Sequence, residues 1–345
     1  MAALSSTSLR RIGYALLSGV LLLVLALVGA GFYMLDYALH PASISRSRDI
    51  QGSLQHMAET YPGLQQWVDS LQEAGALSDL YLPNEQGEMH HALYVPAVRP
   101  TRRTAVIVHG YTDNAIRILM IGRMYHRDLG YNILLPDLHG HGLSQGEGAQ
   151  MGWLDRLDVL RWTETADALF GHLNDTLWVN GQPQLRSTGT QMVVHGISMG
   201  AATTMMVAGE VEQGLHQQPF VKCFVEDCGY TSVWDEFAGQ LREQFGLPPF
   251  PLLYVTDWLC RWKYGWSFRQ ASALRQVARC HRPMLFIHGD ADDFVPTWMV
   301  YPLYEAHPGE KELWVVPGVD HAHSYRDFPA EYTRRVKNFV EKYID

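Results

Sequence analysis

The chain has 345 residues, of which 47% are hydrophobic and 18% charged, and this is the composition of a protein with a sizeable folded core rather than a disordered one. Its formal net charge of −9 at pH 7 argues against nucleic acid as a partner, because binding to nucleic acid requires a basic face. Neither property separates an enzyme from a binding protein.

Residues 12–35 carry no charged side chain and are rich in Leu, Val, Ala and Gly. As a helix they would extend for about 36 Å, which is enough to cross the hydrocarbon core of a bilayer with some tilt. Two arginines directly precede the segment, and Phe32, Tyr33 and Tyr37 lie near its other end, as interfacial anchors do. The pattern predicts one transmembrane helix after a short N-terminal tail, residues 1–11.

The alternative for this segment is a cleaved signal peptide. Val28-Gly29-Ala30 resembles a small-residue cleavage site, but the apolar core of a signal peptide has only about 7–15 residues, so the length favours a retained anchor. Arg10 and Arg11 lie closer to the apolar segment than Arg46 and Arg48 do, which favours a cytoplasmic N-terminus. We therefore expect a single-pass membrane protein whose catalytic domain lies outside the cytoplasm.

Residues 36–75 are predicted to form a linker and lead-in helices, because apolar side chains recur at helical spacing between 51 and 75. Residues 76–345 are predicted to form one domain. Its first two extended runs flank Asn84-Glu85-Gln86-Gly87, a turn sequence typical of a β-hairpin.

Six short apolar runs follow Arg103, and helical-length segments separate most of them. The runs span 105–108, 133–135, 192–194, 223–225, 284–287 and 313–316. Apolar strands that alternate with helices indicate a parallel sheet covered on both faces. In such sheets functional side chains lie just beyond the carboxyl ends of the strands, and here each run is followed by a polar or glycine-rich segment.

The segment after the third of these runs, Gly196-Ile197-Ser198-Met199-Gly200, holds a serine between two glycines. The spacing predicts a turn so tight that only glycine is tolerated at the flanking positions. A serine hydroxyl is a poor nucleophile at neutral pH and requires a base to take its proton. The motif therefore predicts that later segments supply a histidine and an acid.

With the segments around it, this turn resembles the nucleophile elbow of the α/β-hydrolase-fold serine hydrolases. His109-Gly110-Tyr111 resembles the first oxyanion loop of that family, and residues 137–144 resemble its D-x-x-G-x-G-x-S turn. Ser198, Asp292 and His321 stand in the family's order of nucleophile, acid and base. The resemblance covers about residues 77–345 and is to membrane-tethered esterase-like members. It implies an α/β-hydrolase fold with a mostly parallel central sheet flanked by helices.

The chemistry assigns a role to each of these groups. Ser198 would attack the substrate carbonyl, His321 would take its proton, and Asp292 would fix the tautomer of the imidazole. The backbone N–H groups of Tyr111 and Met199 are predicted to form the oxyanion hole. A small-molecule or lipid-like ester is the expected substrate. No cofactor and no metal ion are expected, since metal-binding spacings such as HExxH are absent from the sequence.

Other residues compete for two of these roles. His323 is the alternative base to His321. The alternative acids are Asp227, Asp290 and Asp293. Asp292 is favoured because it stands three residues before Val295, where the family has its acid, whereas Asp227 follows the preceding strand, the acid position in a minority of such enzymes.

Residues 230–283 are long enough for a small helical cap over the site. This segment contains four tryptophans, Trp234, Trp258, Trp262 and Trp266. They are interpreted either as the wall of an apolar acyl pocket or as the core of the cap itself.

The sequence contains four cysteines, Cys223, Cys228, Cys260 and Cys280. They form no CxxC pair, which argues against a zinc ribbon or a redox motif. Disulfide pairing in an exported domain and buried free thiols both remain open.

Three functions are compatible with these residues. A carboxylic ester hydrolase is favoured, and a peptidase or amidase would use the same triad. A non-catalytic membrane-tethered binding protein would keep the fold without turnover, but the intact set of Ser198, Asp292 and His321 argues against it. Because the predicted catalytic groups all follow Arg103, we expect residues 1–40 to be dispensable for folding and activity.

Overall fold

The computed structural model describes residues 6–171, 176–179, 182–185, 189–212 and 217–345. Helices α1–α13 span Ser6–Leu39, Ala42–Ser47, Ile50–Thr60, Leu64–Glu73, Leu119–Arg123, Asp155–Gly171, Met199–Glu210, Val233–Phe245, Leu252–Tyr264, Ala273–Val277, Val300–Ala306, Ser324–Asp327 and Pro329–Val340. Strands β1–β10 span Ser78–Pro83, Met89–Val95, Arg103–Val108, Asn132–Pro136, Thr176–Val179, Gln182–Leu185, Gln191–Ile197, Val221–Asp227, Met284–Gly289 and Lys311–Val316. A π-helical turn, Met124–Leu129, extends α5, and a 3₁₀ turn, Thr297–Met299, precedes α11.

Eight of these strands form one central sheet in the order β1-β2-β4-β3-β7-β8-β9-β10. The strands from β4 to β10 in this order are parallel to one another, and β2 is antiparallel to both of its neighbours. The six predicted apolar runs all lie in the parallel strands, and the predicted hairpin is β1–β2. The prediction of an α/β fold with a mostly parallel sheet is confirmed.

The sheet is buried on both faces, which is why its strands are continuously apolar. Along β3, Val106 and Val108 pack into one core, and Ala105 and Ile107 pack into the other, because successive side chains point to opposite faces. Helices α6 and α7 cover the first face, and α4, α5 and α13 cover the second. Burial of each such aliphatic side chain stabilises the fold by about 1.5–3 kcal/mol.

Helix α1 consists of an exposed part and a buried part. Over Arg10–Leu39 it has the length and composition of a membrane span, with a mean hydropathy of 2.5, and a signal sequence has the same features. Leu22 is 67% exposed, whereas Leu35 is only 1% exposed. Gly31, Leu35 and Leu39, at intervals of four residues, face the folded domain.

This arrangement corrects two expectations about the N-terminal region. Helix α1 does not end at residue 35 but continues to Leu39, through the first residues of the predicted linker 36–75. The buried side chains of Leu35 and Leu39 belong to the domain core, so residues 1–40 are not a separable tail. Of the predicted tail 1–11, residues 6–11 are helical, and residues 1–5 lie outside the described part of the chain.

The segment predicted as a cap, 230–283, contains α8, α9 and α10 and lies between β8 and β9. Its four tryptophans differ in burial. Trp266 is buried and Trp234 packs against the core, whereas Trp258 and Trp262 are 61% and 68% exposed.

The four cysteines are free thiols, and all of them are buried. Burial raises the pKa of each thiol above its ordinary value. Of the two possibilities left open by the sequence, the structure has the unpaired one.

Candidate active site

Ser198 occupies the turn between β7 and α7 in a strained backbone conformation. Its φ of 58° and ψ of −121° lie in a region that residues with a side chain rarely adopt. A Cβ on Gly196 would lie 2.0 Å from the carbonyl oxygen of Gly200, and a Cβ on Gly200 would lie 2.1 Å from that of Val108. Glycine is therefore required on both sides of the serine, as the motif predicts.

The turn lies where the order of strand addition in the sheet reverses. The chain adds β4 on one side of β3 and then β7 on the other, which creates a switch point between the carboxyl ends of β3 and β7. Ser198 follows β7 and Gly110 follows β3. The two residues approach each other closely, because a Cβ on Gly110 would lie 3.3 Å from the Cβ of Ser198. The fold thus places the serine against the predicted oxyanion loop.

The structure brings Ser198, His321 and Asp292 together in one chain of hydrogen bonds. The Oγ of Ser198 lies 2.8 Å from Nε2 of His321, and Nδ1 of the same imidazole lies 2.7 Å from Oδ2 of Asp292. The side chain of Asp292 is fully buried, while that of His321 is 21% exposed. This geometry allows the imidazole to accept the serine proton while the carboxylate holds the ring.

Asp292 is held as an anion by the groups around it. Burial alone would raise the pKa of its carboxyl, but hydrogen bonds from His288 and His321 outweigh that effect and hold the pKa below its ordinary value. The N–H of Val295 donates to Oδ1 at 2.9 Å, which adds a further donor. A carboxylate that stays ionised can fix one imidazole tautomer.

His288 is a site residue that the sequence analysis missed. Its Nε2 donates to the carbonyl oxygen of Val295 at 2.8 Å and lies 3.4 Å from Oδ2 of Asp292. The signal was present, because His288 directly follows the apolar run 284–287. However, His109 and His195 also stand directly before a glycine after an apolar run, so spacing alone does not distinguish His288 from them.

The competing candidates lie elsewhere. His323 contacts Asp320. Asp290 accepts a hydrogen bond from the N–H of Gly318 at 2.5 Å, and Asp293 is exposed. Asp227 accepts a hydrogen bond from Ser324 at 3.1 Å, and burial raises the pKa of its carboxyl to about 6. The backbone carbonyl of Asp227 accepts a 2.8 Å hydrogen bond from the N–H of Ser198, but in the described chain none of these four side chains is hydrogen-bonded to the side chain of Ser198 or His321.

The predicted oxyanion donors are backbone groups next to the serine. Met199 is the first residue of α7, so its N–H lies at a helix N-terminus and has no intrahelical acceptor. Tyr111 follows Gly110 in the loop after β3. In the described part of the chain, neither N–H donates to another protein group. Both are therefore free to donate to a substrate oxygen.

Backbone strain is concentrated around this site. Five non-glycine residues in the described chain have φ between 49° and 60°: Thr112, Met151, Ser198, Cys228 and Ala322. Thr112 follows the predicted oxyanion residue, and Ala322 follows His321. Such conformations each cost on the order of 1–3 kcal/mol and persist where the surroundings enforce them. Their clustering points to a functional site.

An apolar cavity of about 270 Å³ opens from Ser198. Its walls come from α1, the cap helices α8 and α9, and the loops after β3, β8 and β9. The cap side chains in the wall are Tyr230, Glu236, Phe237, Gln240, Leu241, Gln244, Phe245, Leu252, Leu253, Thr256 and Phe268. None of the four cap tryptophans lines the cavity, so they do not form the wall of an acyl pocket there; the apolar cap side chains that do line it are mainly phenylalanines and leucines.

Within the described part of the chain, two groups of side chains have ligand atoms close enough together to hold a metal ion. The first is Cys228, Asp292 and His321, but burial holds the pKa of the Cys228 thiol well above its ordinary value, and a protonated thiol is a poor ligand. The second, Glu88, His90 and His139, is not part of the cavity wall. Neither group argues for a metal in the chemistry at Ser198.

A serine raised on a strand-to-helix turn at the switch point of a parallel sheet defines the α/β-hydrolase fold, and the protein is a serine hydrolase of that fold. The family model for serine hydrolases (FSH1) matches residues 137–323, more than half of the chain. The chain belongs to this family, and the resemblance inferred from the sequence is confirmed.

The chain is also similar to one curated protein and to several solved structures. The uncharacterized protein YqkD of Bacillus subtilis is 28% identical over 252 residues, which cover 73% of this chain and 75% of YqkD. The Pyrococcus furiosus esterase Pf2001 superposes with a TM-score of 0.58 at 20% identity over 80% of this chain and 96% of the esterase. Est1E from Butyrivibrio proteoclasticus has a TM-score of 0.54 at 16% identity, over 76% of this chain and 98% of Est1E. At these identities the solved structures show the shared fold.

Proposed function

We propose that this serine hydrolase cleaves carboxylic esters through an acyl-enzyme on Ser198. In the first half-reaction, Oγ forms a bond to the substrate carbonyl carbon as His321 takes the hydroxyl proton. The tetrahedral intermediate then breaks its ester C–O bond, and the alcohol leaves with the proton that His321 returns. In the second, His321 activates a water molecule that cleaves the acyl–serine bond and releases the carboxylic acid.

The intermediate carries a negative oxygen that must be stabilised. The N–H groups of Tyr111 and Met199 are proposed to donate to it, and loss of one such donor typically costs about 3 kcal/mol of transition-state stabilisation. Asp292 stabilises the imidazolium that forms on His321. Met199 directly follows the serine in the strained turn, and Tyr111 lies in the loop after β3, where Gly110 packs against Ser198.

The observation that carries the proposal is the hydrogen-bonded set of Ser198, His321 and Asp292 at the foot of an apolar cavity. An exopeptidase would need charged groups to bind a peptide terminus. The described wall contains no Lys or Arg, and burial raises the pKa of its one acid, Glu236, to about 8, so that this group is mostly neutral at pH 7. An uncharged acyl group suits this cavity better than a peptide terminus.

The test is turnover of p-nitrophenyl esters against aminoacyl p-nitroanilides by the purified full chain. We expect ester turnover, covalent labelling by a fluorophosphonate, and loss of both in Ser198→Ala with unchanged circular dichroism. Ser70→Ala, at an exposed serine on α4, is the matched control. Preference for the anilides would favour the peptidase alternative. A folded wild type that neither reacts nor turns over would favour the binding protein.

We also propose that α1 is a retained membrane anchor with the hydrolase domain outside the cytoplasm. The exposed apolar surface of residues 12–25 supports this proposal, because such a surface suits lipid better than water. The full chain should resist carbonate extraction from membranes. Protease added to right-side-out vesicles should degrade the domain. A mature chain that begins near Gly31 would contradict the anchor.

A further inference from the structure

The last turns of α1 form part of the cavity that opens from Ser198. Met34, Tyr37 and Ala38 line this cavity together with side chains of the cap. These residues lie more than a hundred positions before Ser198 in the sequence, and no motif connects them to the chemistry at Ser198. The cavity therefore has a wall that comes from the predicted membrane helix.

Close packing holds this part of α1 in place. A Cβ on Gly31 would lie 2.9 Å from Cδ1 of Leu259 and 3.0 Å from Cγ1 of Val255, so α1 and α9 approach each other at a position that only glycine fits without movement. Leu35 and Leu39 are buried in the same core as the cap. This part of the cavity wall is therefore fixed by close packing between α1 and α9.

The mouth of the cavity lies between α1 and α8. The hydroxyl of Tyr37 donates a 2.9 Å hydrogen bond to Oε1 of Gln244, and the ring of Tyr37 packs edge-on against Phe245 at 5.6 Å between centroids. All three side chains line the cavity and are exposed on its outer side.

An exposed aromatic surface adjoins this mouth. Phe250, Trp258 and Trp262 of the cap are 70%, 61% and 68% exposed. The ring of Trp262 contacts Phe32 of α1 at 6.3 Å between centroids, so this surface is continuous with the exposed apolar helix. Aromatic side chains beside an apolar helix are typical of the membrane–water interface.

We propose that α1 forms the acyl-chain wall of the active site, and that the substrate is an amphipathic lipid ester whose acyl chain enters from the bilayer past Tyr37. Met34 and Ala38 set the length of chain that fits. This inference rests on the proposed ester hydrolysis at Ser198 and specifies its substrate class.

The first test measures chain-length selectivity with the detergent-solubilised full chain. Ala38→Phe places a ring in the cavity, and it should lower kcat/KM for p-nitrophenyl octanoate relative to p-nitrophenyl acetate by about tenfold or more. Met34→Ala should shift the preference toward longer chains. Ala26→Phe makes the same change at an exposed position of the same helix and should leave the ratio at its wild-type value.

The outcomes separate the two proposals. An unchanged octanoate-to-acetate ratio in both Ala38→Phe and Met34→Ala, with fluorophosphonate labelling intact, would overturn the inference and leave ester hydrolysis standing. Should Ala38→Phe fail to fold, Met34→Ala still decides. A wild type that hydrolyses no ester of any length would overturn the proposed function, and this inference with it.

The second test asks whether the ester comes from a membrane. The double variant Trp258→Ser/Trp262→Ser removes exposed rings that do not line the cavity. With the enzyme reconstituted in phosphatidylcholine vesicles, it should hydrolyse an embedded monoacylglycerol several-fold more slowly, relative to soluble p-nitrophenyl acetate, than the wild type does. An equal ratio for variant and wild type would overturn membrane delivery and favour a soluble ester.

Discussion

The hydroxyl of Tyr111 donates a 2.6 Å hydrogen bond to the backbone carbonyl of Ala38. Tyr111 belongs to the loop that contributes a predicted oxyanion donor, and Ala38 belongs to the N-terminal helix. One side chain therefore connects the predicted oxyanion loop to the candidate membrane helix. The position of α1 and the position of the oxyanion loop depend on each other.

Tyr111→Phe removes this hydrogen bond but keeps the ring and the backbone N–H. We expect the free energy of unfolding to fall by about 1 kcal/mol, the net value of a typical hydrogen bond, and kcat/KM for esters to fall with it. Thermal unfolding by circular dichroism and ester kinetics measure the two effects. Tyr14→Phe, at an exposed tyrosine of α1, should change neither the free energy of unfolding nor kcat/KM. Equal behaviour of the two variants would refute the coupling between α1 and the loop of Tyr111.

His321→Ala should be as damaging as Ser198→Ala, because both groups are proposed to take part in the same proton transfer. A fall in kcat on the order of 10⁴ or more is expected for each, and the double variant should be no worse than either single one. His323→Ala should stay near the wild type, since His323 pairs with Asp320. A more severe loss in His323→Ala would show that the base is misassigned.

Asp292→Asn should lower kcat by about 10⁴, because the amide no longer enforces the correct imidazole tautomer. Asp290→Asn provides the neighbouring control: its carboxylate accepts from Gly318 and does not contact His321, so turnover should be largely retained. Kinetics with one ester substrate decide the comparison. If Asp227→Asn proved the more severe change at equal stability, the acid would follow β8 instead.

The contribution of Glu226 to stability should decrease as the pH rises from about 5 to about 8. Burial raises the pKa of Glu226 from 4.5 to about 8, so over this range the folded protein keeps a proton that the unfolded chain has released. Each such group lowers the free energy of unfolding by up to about 1.4 kcal/mol per pH unit. Burial raises the pKa of Asp155 and Asp158 to about 7, which acts in the same direction.

Glu226→Gln should weaken this dependence, because the amide can still accept from the N–H of Gly229 but does not ionise. Its stability relative to the wild type should therefore increase from pH 5 to pH 8 in urea unfolding. The exposed Glu73→Gln is the matched control. A constant difference between Glu226→Gln and wild type across this range would contradict the assignment of Glu226.

Part of the site was predictable because its signals are local. Glycine is required at position 196 by the nearby carbonyl oxygen of Gly200, and at position 200 by the carbonyl oxygen of Val108 on the neighbouring strand β3. The motif and the turn therefore imply each other. The order of Ser198, Asp292 and His321 could be read from segments that follow apolar strands, since parallel strands end at one edge of the sheet. His288 was missed because its role depends on a contact with Asp292 that spacing does not reveal.

The sequence by itself determined the strands of the sheet and the glycine-flanked turn at Ser198, because hydrophobic period and glycine spacing act over short distances along the chain. The resemblance to the α/β-hydrolases singled out the candidate acid and base. Only the tertiary structure decided what the two parts of α1 contact. Leu22 and Leu35 are the same residue type in one continuous apolar helix, yet one is exposed and the other lies in the domain core. Hydropathy measures the preference to leave water, and it does not distinguish lipid from protein as the place where a side chain goes.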